Sequence, residues 1–366
     1  MNILLITQED ILAGSTYSVS YLAKGLQARG HMVVVAARPG SVLEQVLTGS
    51  GVTFIPFTIP SRFHRQSVRH LAQLVRQHHI QVINAQSSKD RYVTVLARFF
   101  YRLPVIIVHT RRQVSLSMGG FFQNLIYVRG TDKIVAVSEG VKRSLVEKKI
   151  PAEHVEVVYN GTPTEKYQHL DSVVVNQLIK KFSISNSDLV IGCVARRKKQ
   201  DQLLRSLDLI GRPVKVILVG ITEDDELREI RSRWTLPHQV FYEGEQVGSI
   251  ALHYYKVFTM TVLCSTTEGL SQGLLESMYL GTPVIATAAA GNLDLIKPNE
   301  NGLLFTDGDL AGLASAIRSV SEDSSLRQKL ISGGITTASD TFSIDRTIAH
   351  YEKLFGQLLS SRKFES

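Results

Sequence analysis

The chain has 366 residues, 44% hydrophobic and 20% charged, the make-up of a folded globular protein with room for two domains, not of a disordered or fibrous chain. Its net charge of +8 is unevenly held: residues 1–160 carry 19 Lys and Arg against 9 Asp and Glu, and the remainder carries 22 against 24. A basic first half fits an anionic membrane surface or an acidic substrate, and nucleic acid is disfavoured as a partner because no binding motif for it accompanies the charge.

The opening Met1-Asn2-Ile3-Leu4-Leu5-Ile6 has neither the basic leader nor the cleavage site of a signal peptide. No apolar run nears the ~20 residues that span a bilayer, so the expected location is cytoplasmic. Strands are expected at residues 2–6, 33–36, 52–56, 82–84, 105–109, 133–137 and 155–159, where β-branched residues cluster. Helical spacing, with apolar residues three and four apart, falls between them at 18–29, 67–78, 90–101 and 140–147. An Asn160-Gly161-Thr162-Pro163 turn and a polar stretch then read as a linker over 161–187. The alternation restarts with strands at 189–194, 215–219, 240–243, 260–263, 283–286 and 302–305 and helices at 201–210, 225–234, 249–255, 273–280 and 310–320. Strand-helix repetition of this kind builds parallel sheets covered on both faces. A last helix, 347–359, carries an apolar face of Ile348, Tyr351, Phe355 and Leu358 that needs a surface to cover, and the first half is the candidate. Cys193 and Cys264 lie in apolar runs without zinc or disulfide spacing and read as core thiols of a reducing compartment.

The segment richest in chemistry runs from Cys264 to Ala286. A strand ends at Cys264, a loop with Gly269 and Gly273 follows, and a helix begins near Gly273. A helix N-terminus presents backbone N–H groups and a positive dipole end, a seat for a diphosphate. Glu268 and Glu276 frame that loop, and a carboxylate accepts hydrogen bonds from two vicinal hydroxyls, as a sugar or ribose offers them. Taken singly, each glutamate reads equally as a loop solvator or a helix-start acid. After the first strand of the second half comes Arg196-Arg197-Lys198-Lys199, a cluster able to stabilise a leaving diphosphate. Gly14 follows the first strand and lets the backbone approach a ligand, although the Gly-x-Gly-x-x-Gly dinucleotide fingerprint is absent. No paired aspartates sit at a strand end, and Asp224-Asp225 reads as the start of a helix, so no metal is expected.

Glu268 and Glu276 with seven residues between them, followed by Gly281-Thr282-Pro283-Val284-Ile285-Ala286, resemble the signature of the family 4 retaining glycosyltransferases of the GT-B fold. Ala290-Gly291-Asn292, Asn301-Gly302, Ser138-Glu139 and Tyr159-Asn160-Gly161 resemble further landmarks of that family, and the likeness covers nearly the whole chain. It implies an α/β GT-B fold, two Rossmann-like β/α/β domains facing each other across a cleft. The first, acceptor domain would be 1–165, joined by the C-terminal helix 346–366; the second, donor domain would be 166–345. By the same resemblance Glu276 binds the ribose and Glu268 the donor sugar. Gly269, Ser271, Gln272, Gly273, Leu274 and Leu275 hold the diphosphate with Arg196 and Lys198 or Lys199, and Gly14 faces the donor. His109, or the Arg111-Arg112 pair in its place, lies close to the donor sugar. Catalysis would rest on Glu268, Arg196, Lys198 and His109, with no metal, no cofactor and no protein nucleophile.

The implied activity is metal-independent, retaining, hexosyltransferase-like transfer from a nucleotide-diphosphate sugar to a glycan or lipid-linked acceptor, in lipopolysaccharide or other cell-surface polysaccharide biosynthesis. A sugar-nucleotide epimerase of the same fold and a non-catalytic saccharide-binding scaffold are the alternatives. Arginines interleaved with aromatics in the first half (Arg62-Phe63-His64-Arg65, Arg69, Arg76, Arg98-Phe99-Phe100-Tyr101-Arg102, Arg111-Arg112), with the apolar 118–122, add an expected peripheral contact with the anionic inner face of the cytoplasmic membrane.

Overall fold

A computed structural model describes residues 1–9, 14–113, 120–168, 170–246 and 250–363, with 121–123 and 362–363 described by backbone alone. Ala13, in the turn before Gly14, and Met118 and Gly119, in the apolar segment, lie outside the described residues, as do the side chains of Phe121 and Phe122. The chain divides into two compact units, Met1–Gly161 with Ser343–Ser366, and Thr162–Phe342.

The first unit is a parallel sheet of β1 (Asn2–Ile6), β2 (Met32–Ala37), β3 (Thr53–Pro56), β4 (Val82–Ala85), β5 (Ile106–Arg111), β6 (Lys133–Ala136) and β7 (Val155–Val157). They lie in the order β3-β2-β1-β4-β5-β6-β7. Burial on both faces explains the apolar strands. Ile3 and Leu5 point into one core beneath the helix Gly14–Ala28, while Leu4 and Ile6 point into the other beneath the helices Arg65–Gln77 and Ser88–Tyr101. Each fully buried aliphatic contributes roughly 1.5–3 kcal/mol. The C-terminal helix Ile344–Lys363 completes the first core with Ile348, Tyr351, Leu354 and Phe355. Gly25 admits it, since a Cβ there would overlap Ile348. Thr347 fastens its start, accepting from the Gly161 amide at 2.8 Å and donating to the Tyr159 carbonyl at 2.7 Å.

The second unit holds β8 (Val190–Val194), β9 (Lys215–Val219), β10 (Gln239–Tyr242), β11 (Met260–Leu263), β12 (Val284–Thr287) and β13 (Leu303–Phe305). Their order, again all parallel, is β10-β9-β8-β11-β12-β13. In both sheets the winding reverses once, between β1 and β4 and between β8 and β11. Strand ends beside such a reversal splay their following loops apart and leave a crevice at the carboxyl edge.

Residues 161–187 are not a plain linker. They contain a 3-10 turn, Thr164–Tyr167, and a helix, Ser172–Lys181, capped by the Asp171 carboxylate on the Val173 amide at 2.7 Å. Its β-branched run Val173-Val174-Val175 masks helical periodicity, and only Leu178 is fully buried. The helices Val42–Leu47 and Ser324–Thr336 are likewise absent from the sequence reading.

Candidate functional site

In the second unit the loop after β11 leads into the helix Gln272–Tyr279, with Ser271 as its N-cap. The Ser271 hydroxyl accepts from the Leu274 amide at 3.3 Å and its carbonyl from the Leu275 amide at 3.2 Å. Those two amides are therefore engaged by the helix itself, and Gln272 and Gly273 form its first turn. Gly273 sits against the end of β8. A Cβ there would come within 3.0 Å of the Val194 carbonyl oxygen and 3.2 Å of the Tyr255 hydroxyl. That close approach sets the helix beside the loop after β8, at the β8/β11 reversal. The Glu268–Leu270 stretch is fixed from the other side: the Gly291 amide donates to the Glu268 carbonyl at 3.1 Å, and a Cβ on Gly291 would overlap the Gly269 carbonyl.

Both glutamates are engaged by cations. Glu268 pairs with Lys198 at 2.9 Å, the two side chains 18% and 24% exposed. Glu276 pairs with Lys166 and accepts a hydrogen bond from the buried Tyr255 hydroxyl at 3.2 Å. Burial, then the Glu276 charge, holds the Tyr255 phenol well above its usual pKa. Lys166 and Tyr255 escaped the sequence reading because nothing local marks them. They reach Glu276 from 110 and 21 residues away.

The basic cluster after β8 splits by direction. Lys198 turns to Glu268. Lys199, in the left-handed region at φ 62, turns to Asp307 at 2.7 Å, and Gln202 holds the same carboxylate. Arg197 faces Asp224, Glu226 and Asp201, and Asp224 caps the helix Asp225–Ser232. Arg196 is exposed, and its backbone carbonyl accepts from the Gln200 side-chain amide at 2.8 Å. Among these residues no group of three His, Cys, Asp or Glu side chains is placed to hold a metal. Cys193 and Cys264 are buried free thiols, Cys193 pushed by burial up to about 12.

In the first unit Gly14 opens the helix that follows β1. His109, near the end of β5, is fully buried, its Nδ1 3.1 Å from the Ala85 carbonyl and its ring 5.7 Å from that of Tyr127. Burial first, and the nearby Arg91 and Arg111 charges next, hold its pKa well below 6.5. The ring is therefore neutral, with Nδ1 donating to the carbonyl. Arg112 donates to the side-chain oxygens of Gln86 and Asn160 at 2.9 Å each. Ser138 is spent as a helix cap on the Val141 amide. A further residue here, missed in the sequence, is Arg91: fully buried, stacked 3.4 Å from the Tyr127 ring centroid and 4.8 Å from that of Tyr92. A buried unpaired charge costs roughly 3–5 kcal/mol, whereas a desolvated cation–π contact returns about 2 kcal/mol.

Two parallel, doubly wound sheets, the second with a capped helix start and paired carboxylates at its reversal point, are the architecture of the GT-B glycosyltransferases. Residues 176–337 match the family model of glycosyl transferases group 1, and residues 12–166 that of glycosyltransferase family 4. The two matches lie end to end over most of the sequence: the chain belongs to the family 4, group 1 glycosyltransferases. It is similar to the capsular polysaccharide biosynthesis glycosyltransferase CapM of Staphylococcus aureus, at 25% identity over 76% of this chain and 77% of that one. It is also similar to the lipopolysaccharide core biosynthesis glycosyltransferase LpsE of Rhizobium meliloti, at 26% identity over 65% and 68%. Among solved structures, Anabaena Alr3699/HepE in complex with UDP superposes with a TM-score of 0.83 at 22% identity, covering 98% of this chain and all of that one. A glycosyltransferase from Rickettsia africae gives 0.86 at 18% identity, with 98% of each chain covered. At these identities the structures establish the fold.

Proposed function

We propose that the protein transfers a hexose from a nucleoside-diphosphate sugar to a glycan or lipid-linked acceptor during assembly of a bacterial cell-surface polysaccharide, with retention and without metal or other cofactor. One observation carries the reading: Glu268 and Glu276 flank a helix N-terminus at the β8/β11 reversal, with Lys198 on Glu268 and Arg196 beside it. The UDP and UDP-glucose complexes of HepE and the capsular and lipopolysaccharide roles of CapM and LpsE support the donor and pathway.

In this reading Glu276 exchanges Lys166 for the ribose hydroxyls, and Glu268 exchanges Lys198 for hydroxyls of the sugar. Lys198 and Arg196 then stabilise the diphosphate as it leaves. The C1–O bond to the diphosphate breaks while the acceptor oxygen bonds C1 on the same face, and the acceptor's proton passes to a phosphate oxygen. Thermal-shift screening of nucleoside diphosphates, followed by NMR of the product anomer, tests this. One diphosphate should stabilise the protein, and the product should keep the donor's anomeric configuration. Indifference to the whole panel removes the donor site, and an inverted product removes retention.

The same proposal includes peripheral binding to anionic membrane. Phe63, Phe99 and Phe100 are 66%, 76% and 67% exposed, and Arg62, Arg65, Arg69 and Arg102 are exposed beside them in the fold's first unit. Arg98 is not part of that surface, since it pairs with Asp132 at 2.5 Å. No helix among the described residues is long and apolar enough to cross a membrane. Cosedimentation with phosphatidylglycerol vesicles at low salt should fall when Phe99 and Phe100 become Ser; equal binding to neutral vesicles would remove the charge argument.

A further inference from the structure

The first unit contains a hydrogen-bonding demand that its described residues leave unmet. Arg91 is 0% exposed, yet its Nε, Nη1 and Nη2 all lack a partner among the described residues. The Tyr127 and Tyr92 rings offer π faces to the cation but no lone pairs. His109 and Arg111 lie two apart on β5 and so share one face of the sheet. The Nε of Arg111 is buried without a partner. His109 Nε2, the acceptor nitrogen of the neutral ring, is also buried and unpartnered. Both arginines are close enough to disfavour protonation of that ring. Arg91 and the His109 imidazole thus meet at the Tyr127 ring, Arg111 stands near His109, and no anion among the described residues pairs with either guanidinium. Buried polar groups are almost always satisfied, so three groups of this kind side by side call for a partner.

We propose that Arg91 and Arg111 form an oxyanion-recognition site in the N-terminal unit, with His109 Nε2 accepting a hydroxyl beside it, so that the acceptor is an acidic saccharide. This rests on the glycosyl-transfer reading above and adds the acceptor's chemistry. The planar five-donor fork of an arginine matches a phosphate ester or a sugar carboxylate, and a desolvated site strengthens either contact. The two sources share that chemistry and are separated by experiment.

The test uses the full chain saturated with UDP, so that the donor site is filled, and measures melting temperature against glucose 1-phosphate, glucuronate and glucose. One of the two anions should raise the melting temperature and glucose should not; the one that acts names the group. Arg91→Met should abolish the rise, weakening anion binding by at least about tenfold, while the response to UDP stays that of the wild type. Without anion, Arg91→Met should melt about 2–4 °C higher, because it removes a buried unpaired charge. Arg111→Gln, at a half-buried position, should weaken the anion response without that stabilisation. The proposal is overturned if neither anion acts, if Arg91→Met responds as the wild type does, or if that variant unfolds or melts lower, which marks a structural cation. A wild type blind to UDP yet shifted by an anion through Arg91 upholds this site and removes the donor reading instead.

Discussion

The two units treat charge in opposite ways at the carboxyl ends of their strands. In the second, Glu268, Glu276, Lys199 and Arg197 each hold an oppositely charged partner. In the first, Arg91 and the Oδ1 of Asp90 are buried with none among the described residues. A ligand entering a paired site must exchange one ionic partner for another, so its affinity is a difference between two good interactions. An unpaired site loses nothing when filled. Removing a charge from the first site should therefore stabilise the empty protein, and removing one from the second should strand its partner and destabilise it.

The largest expected effect breaks the backbone that presents the paired site. Gly291→Ala drives a Cβ into the Gly269 carbonyl and should cost about 3 kcal/mol of stability, read by chemical denaturation. A variant as stable as the wild type would show that the Glu268 loop is not held there. Next is Glu276→Ala, which should weaken UDP binding about 100-fold by calorimetry, the loss of two hydrogen bonds to a carboxylate; unchanged affinity would sink the donor site.

A pH effect of opposite sign in the first unit follows. Burial holds the Asp90 carboxyl up at about 7, its hydrogen bonds to Ser87 opposing this only in part. Its unfolded counterpart releases its proton near 4, so the stability this group contributes is present at acid pH and is lost as pH rises from about 4 to 7. Asp90→Asn should flatten that slope in melting curves between pH 5 and 8. His109, with its folded pKa depressed, acts the other way: its contribution is full above about 6.5 and is lost as pH falls below it. The smallest effect separates the two lysines. Lys198→Met should lower kcat about tenfold, whereas Lys199→Met should change it less than about twofold, since that side chain faces Asp307. Equal losses would erase the distinction.

Much of the fold was written locally. Strands such as β1 and β9, buried on both faces, are apolar almost throughout, and all thirteen stand out against the polar helix faces between them. Ser172–Lys181 did not stand out, because its valines favour strand and a single turn of it is buried. Arg98 looked like one more surface arginine. Only the packed helix reveals that it reaches Asp132, which in turn accepts from the Ile107 amide at 2.7 Å.

By itself the sequence determined the alternation of strands and helices, the restart at mid-chain and the spacing of Glu268 and Glu276, all set by periodicity and short-range geometry along the backbone. The tertiary structure alone decided which cation meets which acid: Lys166 on Glu276, Lys198 on Glu268, Lys199 on Asp307, and, among the described residues, no anion on Arg91. Such pairings depend on distances of a few ångströms between segments up to about a hundred residues apart. Coulomb energies and desolvation are fixed by that proximity and by burial, and neither is a property of a residue's neighbours in the chain.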